Sequence, residues 1–240
     1  MPGSNPTHPG GETTMPYYRV AAFDYDSTLA ADGRIAERTA DALQRLRAGG
    51  YRLVVVTGRL LDDFLSVCDR LELFDRAVVE NGGVLYRPAS GTAQPLGDRV
   101  PPALVEALGA LGVEPLGVGR VVVSTTEQHE AATRQALDRL GLQRQAIRNK
   151  GALMLLPPGV DKGSGLLAAL GEMGTTAAET VGVGDAENDV DFLQRCGRSI
   201  AVGNALPAVK ACCDMVTRGD NGAGVVELVH VLVGEPGRLS

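Results

Sequence analysis

The 240-residue chain is long enough to bury a sizeable core, as one domain or two. Its formal net charge of -6 argues against nonspecific nucleic-acid binding, which needs a basic surface, but allows a phosphorylated small molecule held by a local metal or lysine. No apolar run approaches the roughly 20 residues that span a bilayer, and the 4 cysteines lack metal-ligand spacing. We therefore expect a cytoplasmic protein with reduced thiols and no membrane or nucleic-acid partner.

The chain begins with a segment rich in Pro, Gly and Thr, residues 1–16, which lacks the apolar stretch of a secretory signal. We predict that this segment is a disordered leader. Strand-like and helix-like patterns then alternate, with strands predicted at 19–24, 51–56 and 77–79 and helices at 37–48 and 60–71. Because 51–56 is apolar throughout, as in a strand covered on both faces, the sequence predicts a doubly wound α/β domain with a parallel sheet.

The pattern changes after residue 82. Residues 83–86 are predicted to form a strand that leaves the sheet, followed by a turn-rich run at 87–91. Short elements follow: a helix at 101–111, a strand at 120–124, an amphipathic helix at 127–140, and strands at 145–148 and 152–156. We interpret 87–157 as a separate α+β lid inserted into a core domain made of 17–86 and 158–240.

The doubly wound pattern resumes after the hinge-like Pro157-Pro158-Gly159. Helices are predicted at 162–173, 188–195, 207–212 and 224–233, and strands at 180–183, 199–202 and 215–216. The second half of the chain is thus expected to complete the core sheet.

Two carboxylates lie two residues apart where the first strand ends, in the run Asp24-Tyr25-Asp26-Ser27-Thr28. An i, i+2 pair at a frayed strand end can point to one side, and like charges that close repel unless a cation intervenes. Such pairs serve in metal binding or in nucleophile-plus-acid chemistry. An ordinary turn rich in Asp and Ser would give the same pattern.

Two later helix starts could bind a phosphate. Thr57 and Gly58 follow the buried strand 51–56, where a hydroxyl and backbone N–H groups suit a phosphate oxygen, although Thr57 could equally be a helix N-cap. Lys162 opens the helix after the lid and could reach a phosphate or offset the paired aspartates. A helix capped by Asp161 with a solvated Lys162 is the alternative.

A second acidic motif, Gly184-Asp185-Ala186-Glu187-Asn188-Asp189, follows the strand at 180–183. Asp185 and Asp189 lie one helical turn apart, and hard oxygen ligands placed in this way suit Mg²⁺. An acidic helix N-terminus that favours the macrodipole would look similar. All of these motifs fall at strand or helix ends on one edge of the predicted sheet, so we expect them to converge.

The order of these motifs and the residues in them resemble those of the haloacid dehalogenase-like (HAD) phosphohydrolase superfamily. Within it, the chain resembles the Cof-type branch, subfamily IIB, with a C2B cap. The match runs from about Tyr17 onward. Its motifs are D-x-D-x-T at Asp24, Thr-Gly-Arg at Thr57, Asn-Gly at Asn81, Lys-Gly at Lys162 and G-D-x-x-N-D at Gly184. The resemblance implies a HAD-like Rossmannoid core with an inserted α+β C2B cap domain. One departure is Ser27, where the family usually has Gly.

The resemblance implies a Mg²⁺-dependent phosphatase of a small phosphomonoester, of the sugar phosphate or phosphoglycolate type. Asp24 would be the nucleophile that forms an aspartyl-phosphate, and Asp26 the acid and base. Phosphate would be bound by Thr57, Gly58, Lys162 and Asn188. The metal would be held by Asp24, the backbone carbonyl of Asp26, Asp185 and, directly or through water, Asp189.

The partner is therefore expected to be a small phosphorylated metabolite, and the protein a monomer or a homodimer. A phosphohexomutase of the same superfamily and a non-catalytic binding module remain alternatives. Candidate contacts from the lid are Arg120, Arg148, Asn149 and Lys150, although such residues are more often solvated. The sequence leaves the identity of the substrate open.

Overall fold

The computed structural model describes residues 18–234. The predicted leader, residues 1–16, lies outside the described residues. The strands are β1 (Val20–Asp24), β2 (Ala30–Ala31), β3 (Arg34–Ile35), β4 (Arg52–Val56), β5 (Arg76–Val79), β6 (Val84–Arg87), β7 (Thr92–Pro95), β8 (Gly117–Val118), β9 (Val123–Thr126), β10 (Gln145–Asn149), β11 (Ala152–Leu156), β12 (Thr180–Gly184), β13 (Arg198–Ala201) and β14 (Met215–Val216). The helices are α1 (Glu37–Ala48), α2 (Leu61–Val67), α3 (Pro102–Ala110), α4 (Glu130–Leu140), α5 (Lys162–Glu172), α6 (Val190–Leu193), α7 (Pro207–Cys212) and α8 (Asn221–Gly234).

A large sheet with the strand order β14-β13-β12-β1-β4-β5-β6-β7 organises the core. The strands from β14 to β5 are parallel, and residues of β1, β4 and β12 are almost all fully buried because helices cover both faces. The predicted α/β fold class is confirmed by this sheet and by a separate antiparallel sheet. The apolar runs predicted as strands at 19–24, 51–56 and 180–183 form the three central strands β1, β4 and β12.

The strand predicted to leave the sheet at 83–86 stays in it, and this prediction is wrong. β6 pairs antiparallel with β5, and β7 pairs antiparallel with β6. The turn-rich run closes this hairpin, with the Gly91 N–H donating to the Arg87 carbonyl at 2.9 Å. β7 is an edge strand that ends at Pro95, where a missing N–H costs no ladder hydrogen bond. Residues 92–95, assigned to the lid from the sequence, therefore belong to the large sheet.

The four-stranded antiparallel sheet, with order β10-β11-β9-β8, carries α3 and α4 on one face, and we call this unit the cap. A small apolar cluster fills the space between the cap helices and the sheet: Leu104, Leu108, Val113, Val123, Ala136 and Leu155. Alternate residues of β11, Met154 and Leu156, pack on the main core instead. Because strand side chains alternate between faces, the other face of the cap sheet looks towards the core.

Three predicted helices are shorter in the structure, and the one expected at 127–140 begins at Glu130 after a 3-10 turn at Glu127–His129. The helix expected at 60–71 ends at Val67 and is followed by a 3-10 turn at Leu71–Leu73. The helix expected at 188–195 is a 3-10 turn at Glu187–Asp189 followed by α6. None of the helices in the described part of the chain is long and apolar enough to cross a membrane.

Candidate active site

Three adjacent strands bring the sequence motifs to one edge of the sheet. β1 lies between β12 and β4, with Phe23 opposite Val183 and Asp24 opposite Val56. All three strands are parallel, so their carboxyl ends lie side by side. Asp24, Thr57 and Asp185 are therefore neighbours although they are far apart in the chain.

Three buried carboxylates form the centre of this edge. Asp24, Asp185 and Asp189 offer oxygens that all lie within 4.8 Å of one another, and the three residues are 5%, 1% and 0% exposed. Hard carboxylate oxygens at this spacing are the ligands that Mg²⁺ uses. The donor set therefore fits a divalent cation.

Lys162 lies inside the carboxylate group. Its Nζ donates to Asp24 Oδ1 at 2.5 Å and to Asp189 Oδ1 at 2.6 Å, and the residue is 1% exposed. Asp161 caps α5 by accepting from the Ser164 N–H, which fixes the first turn and aims Lys162 inward. Burial alone lowers the pKa of Lys162, but the carboxylates of Asp189 and Asp24 outweigh burial and raise it, so the ammonium stays charged.

The nucleophile candidate Asp24 has excess negative charge around it. Burial first, and then the nearby Asp189 carboxylate, raise its pKa well above the ordinary value, and Lys162 offsets this in part. The single positive charge of Lys162 thus does not balance the negative charge of the three carboxylates. A divalent cation would supply the missing positive charge and favour the ionised form of Asp24.

Both oxygens of Asp189 are already taken by protein donors. Oδ2 accepts from the N–H groups of Asp185 and Ala186 at 2.8 and 2.9 Å, while Oδ1 accepts from Lys162. These bonds fold the chain after β12 back on itself. The contacts of Asp189 favour an orienting role, with any cation contact passing through water.

Asp185 joins the core to the cap. Its Oδ1 accepts from the Thr28 hydroxyl at 3.0 Å, and its Oδ2 pairs with Nζ of Lys150 at 2.6 Å. Lys150 comes from the turn between β10 and β11, so the cap lies directly over the carboxylates. The sequence favoured a solvated Lys150; its side chain is 42% exposed, but its ammonium pairs with Asp185.

Asp26 lies outside the three-carboxylate group. Arg59 donates to both of its oxygens, from Nε to Oδ2 at 2.7 Å and from Nη2 to Oδ1 at 2.8 Å, and also pairs with Asp63. The Asp26 side chain is 42% exposed. Sequence reasoning missed this pairing because it joins the turns after two different strands.

Asn188, one of the predicted phosphate-binding residues, lies beside Gly58. A Cβ added at Gly58 would lie 3.5 Å from Met154 Sδ and 3.6 Å from Asn188 Nδ2, so the backbone here is closely covered. The Thr57 hydroxyl oxygen accepts from the Arg59 N–H at 3.2 Å, which leaves its own hydrogen free to donate. Asn188 donates to Asn81 at 2.8 Å, and the buried Asn81 Nδ2 has no acceptor among the described residues.

The other lid candidates take different positions. Arg148 points to the helix face of the cap, where it pairs with Glu130. Arg120 is exposed, and Asn149 is partly buried. Of these candidates, only Asn149 and Lys150 lie on the side of the active site.

The sequence model of one family matches residues 21–96 and 114–229 and is described as haloacid dehalogenase-like hydrolase. The chain belongs to this family. The haloacid dehalogenase-like core contributes the large sheet and the three-carboxylate group, and the insertion contributes the cap. The resemblance noted from the motifs is thereby confirmed.

Among its relatives are two phosphoglycolate phosphatases. That of Methanothermobacter thermautotrophicus is 29% identical and aligns over 90% of this chain and 99% of its own. That of Haloarcula marismortui is 31% identical and aligns over 86% of this chain and 93% of its own. This haloacid dehalogenase-like protein is a phosphoric monoester hydrolase.

Solved structures agree on the fold. A haloacid dehalogenase-like hydrolase from Bacteroides thetaiotaomicron superposes with a TM-score of 0.73 at 22% identity, covering 90% of this chain and 99% of its own. A subclass IIB sugar phosphatase superposes with a TM-score of 0.66 at 20% identity, covering 83% and 93%. The core with a IIB-type cap is therefore shared.

Proposed function

We propose that this protein is a Mg²⁺-dependent phosphatase that hydrolyses a small phosphomonoester of the phosphoglycolate type through an aspartyl-phosphate on Asp24. The observation that carries the proposal is the buried group of Asp24, Asp185 and Asp189 with Lys162 between them. Mg²⁺ would be held by Asp24, the backbone carbonyl of Asp26, Asp185 and, through water, Asp189. When bound, it would reduce the repulsion between an anionic nucleophile and an anionic ester.

In the first step, a carboxylate oxygen of Asp24 attacks phosphorus and the bond to the alkoxide oxygen breaks. Lys162 holds Asp24 Oδ1, which leaves Oδ2 without a donor among the described residues and able to react. Thr57, the Gly58 N–H and Asn188 hold phosphoryl oxygens, and Lys162 stabilises the charge that develops on them. Asp26 gives its proton to the leaving alkoxide.

In the second step, Asp26 accepts a proton from water, and the resulting nucleophile displaces Asp24 from phosphorus. Inorganic phosphate leaves, and both aspartates return to their starting states. Asp26 must leave Arg59 for this work, because both of its oxygens are paired in the structure. Its partly exposed position leaves room for that movement.

The cap closely covers Thr57 and Gly58, which we call the phosphate-binding loop. This cover favours a small substrate. Met154 Sδ of the cap would lie only 3.5 Å from a Cβ added at Gly58, and Lys150 Nζ lies 2.6 Å from Asp185 Oδ2. The phosphoglycolate phosphatases among the relatives point to the same class. We expect a two- or three-carbon phosphate ester to be preferred to a hexose phosphate.

The test is phosphate release from 2-phosphoglycolate, hexose phosphates and p-nitrophenyl phosphate, with Mg²⁺ and with EDTA. We expect metal-dependent release that is highest with 2-phosphoglycolate and lost in Asp24→Asn. The matched control is Asp63→Asn, which removes an exposed carboxylate near the site that pairs with Arg59. Release that persists in Asp24→Asn would refute the nucleophile assignment. Interconversion of hexose phosphates without net release would favour a mutase.

A further inference from the structure

The turn at the end of the cap sheet holds Lys150 in a fixed position. Lys150 and Gly151 have φ values of 47° and 85°, and Asn149 pairs with Ala152 across them. Two consecutive left-handed residues form a tight two-residue turn that matches the twist of the flanking strands. The turn therefore aims the lysine, and its Nζ reaches Asp185 Oδ2 at 2.6 Å.

The cap surface beside Lys150 carries unsatisfied polar atoms. Thr126, Ala152 and Asn149 lie directly opposite one another on three adjacent strands, so they share one face. Met154 lies two residues after Ala152 on β11, so its side chain is on the same face of the cap sheet. Met154 touches the phosphate-binding loop. The buried Thr126 Oγ1 and Asn149 Oδ1 have no hydrogen-bond partner among the described residues. Unpaired buried polar atoms beside a cation indicate a polar ligand.

Three other cationic side chains of the cap, those of Arg134, Arg144 and Arg148, contact groups away from the active site. Arg148 and Arg134 pair with Glu130 on the helix face. Arg144 donates to the backbone carbonyls of Val121, Asp98 and Arg99 where the cap joins the core. Among the ion pairs of the described residues, Lys150 supplies the contact between the cap and the site carboxylates.

The partner of Lys150 is a carboxylate that the reaction needs for another purpose. Asp185 Oδ2 belongs to the group that fits a cation, so the ammonium loses part of its partner when Asp185 turns to that cation. The Lys150 side chain is 42% exposed, so its ammonium is accessible to a second anion. A carboxylate of the substrate, beside its phosphate, would take that place.

We infer that Lys150, with Thr126, recognises a carboxylate on the substrate and selects phosphorylated carboxylic acids over neutral phosphate esters. This inference rests on the proposed phosphatase function. Lys150 binds the carboxylate as an ammonium, and the Thr126 hydroxyl donates to it. The recognition is specific because a neutral ester offers the ammonium and the hydroxyl no carboxylate to bind.

The test compares 2-phosphoglycolate with 2-hydroxyethyl phosphate, which has the same chain length and no carboxylate. We expect Lys150→Met to lower kcat/KM for 2-phosphoglycolate by about 10- to 100-fold, mainly through KM, since a hydrogen bond to a charged group contributes about 1.5–3 kcal/mol. The value for 2-hydroxyethyl phosphate should change by less than about threefold, as expected when only the partly exposed ion pair of Lys150 with Asp185 is lost. Lys150→Arg should restore much of the preference.

The matched control is Arg148→Met, which removes a cation from the same hairpin on the opposite face. It should leave both substrates unaffected. Equal losses for the two substrates in Lys150→Met would overturn the inference and leave the phosphatase standing, because they would mean that Lys150 only holds the cap closed. A wild-type preference for the neutral ester would overturn it as well. No release from either ester, or from p-nitrophenyl phosphate, would overturn both the inference and the proposed function.

Discussion

Replacing Asp189 tests whether this residue organises the loop after β12. The side chain is 0% exposed and accepts from the N–H groups of Asp185 and Ala186 and from Lys162. Asp189→Ala leaves the two N–H groups and the ammonium buried without this acceptor. Each unsatisfied neutral donor costs about 1–3 kcal/mol, and breaking a buried ion pair costs about 3–5 kcal/mol.

These costs do not simply add, because Lys162 keeps Asp24 as a partner and the loss of one negative charge relieves repulsion on Asp24. We therefore expect a loss of about 3–5 kcal/mol in the free energy of unfolding. Asp189→Asn keeps an oxygen that can accept from the two N–H groups, so it should lose at least about 1 kcal/mol less than Asp189→Ala.

The assay is urea unfolding in EDTA, extrapolated to water, with Asp63→Asn as an exposed control. A cost of this size is a large part of the about 5–15 kcal/mol that stabilises a typical protein. A loss below about 1 kcal/mol in Asp189→Ala would refute the reasoning, since three buried donors cannot lose their acceptor at so small a cost.

Three further predictions concern the same edge of the sheet. Asp24→Asn should abolish turnover and leave the circular dichroism spectrum unchanged; a spectral change would mean that the residue is needed for folding. The folded-state pKa of Asp24 is raised, so its contribution to stability is present at low pH and is lost as the pH rises through that value. In EDTA, wild type should therefore lose more stability than Asp24→Asn as the pH rises from the ordinary carboxyl range, and Mg²⁺ should raise the melting temperature more at high pH than at low pH; equal pH profiles would contradict this. Ser27 has φ of 63°, which costs a non-glycine residue about 1–2 kcal/mol, so Ser27→Gly should raise the midpoint of urea unfolding, and a lower midpoint would show that the serine hydroxyl makes a compensating contact.

The core strands were predictable because their apolar runs carry the signal of burial on both faces. Helix α1 has the predicted bounds, and β11 does as well. The hairpin β6–β7 was misjudged because a strand and turn look alike whether they extend a sheet or leave it. Local pattern specifies the element but not the partner with which it pairs.

Asp24, Asp185, Asp189 and Lys162 lie together, as their positions at strand and helix ends predicted, but two contacts between distant residues could not be foreseen. Lys150 reaches Asp185 across 35 positions, and Arg59 reaches Asp26 across 33. Both contacts depend on the relative orientation of two turns in the folded structure, and the spacing of residues in the sequence carries no information about that orientation. The sequence Asn149-Lys150-Gly151 between two strand-like runs did carry a usable signal of a tight turn.

The chain passes from the core to the cap near Gly97 and returns near Pro157 and Val160, and these two connecting segments pack against each other. The cap can therefore rotate as a unit about this one narrow connection. A Cβ added at Gly97, on the outward crossing, would lie 2.9 Å from Val160 and 3.2 Å from Pro157 on the return. From that connection the five residues of β11 extend about 15 Å to the turn, so a tilt of about 10° displaces Lys150 by about 3 Å. A small rotation of the cap, which hardly moves the atoms of the connecting segments, is thus enough to separate Lys150 from Asp185.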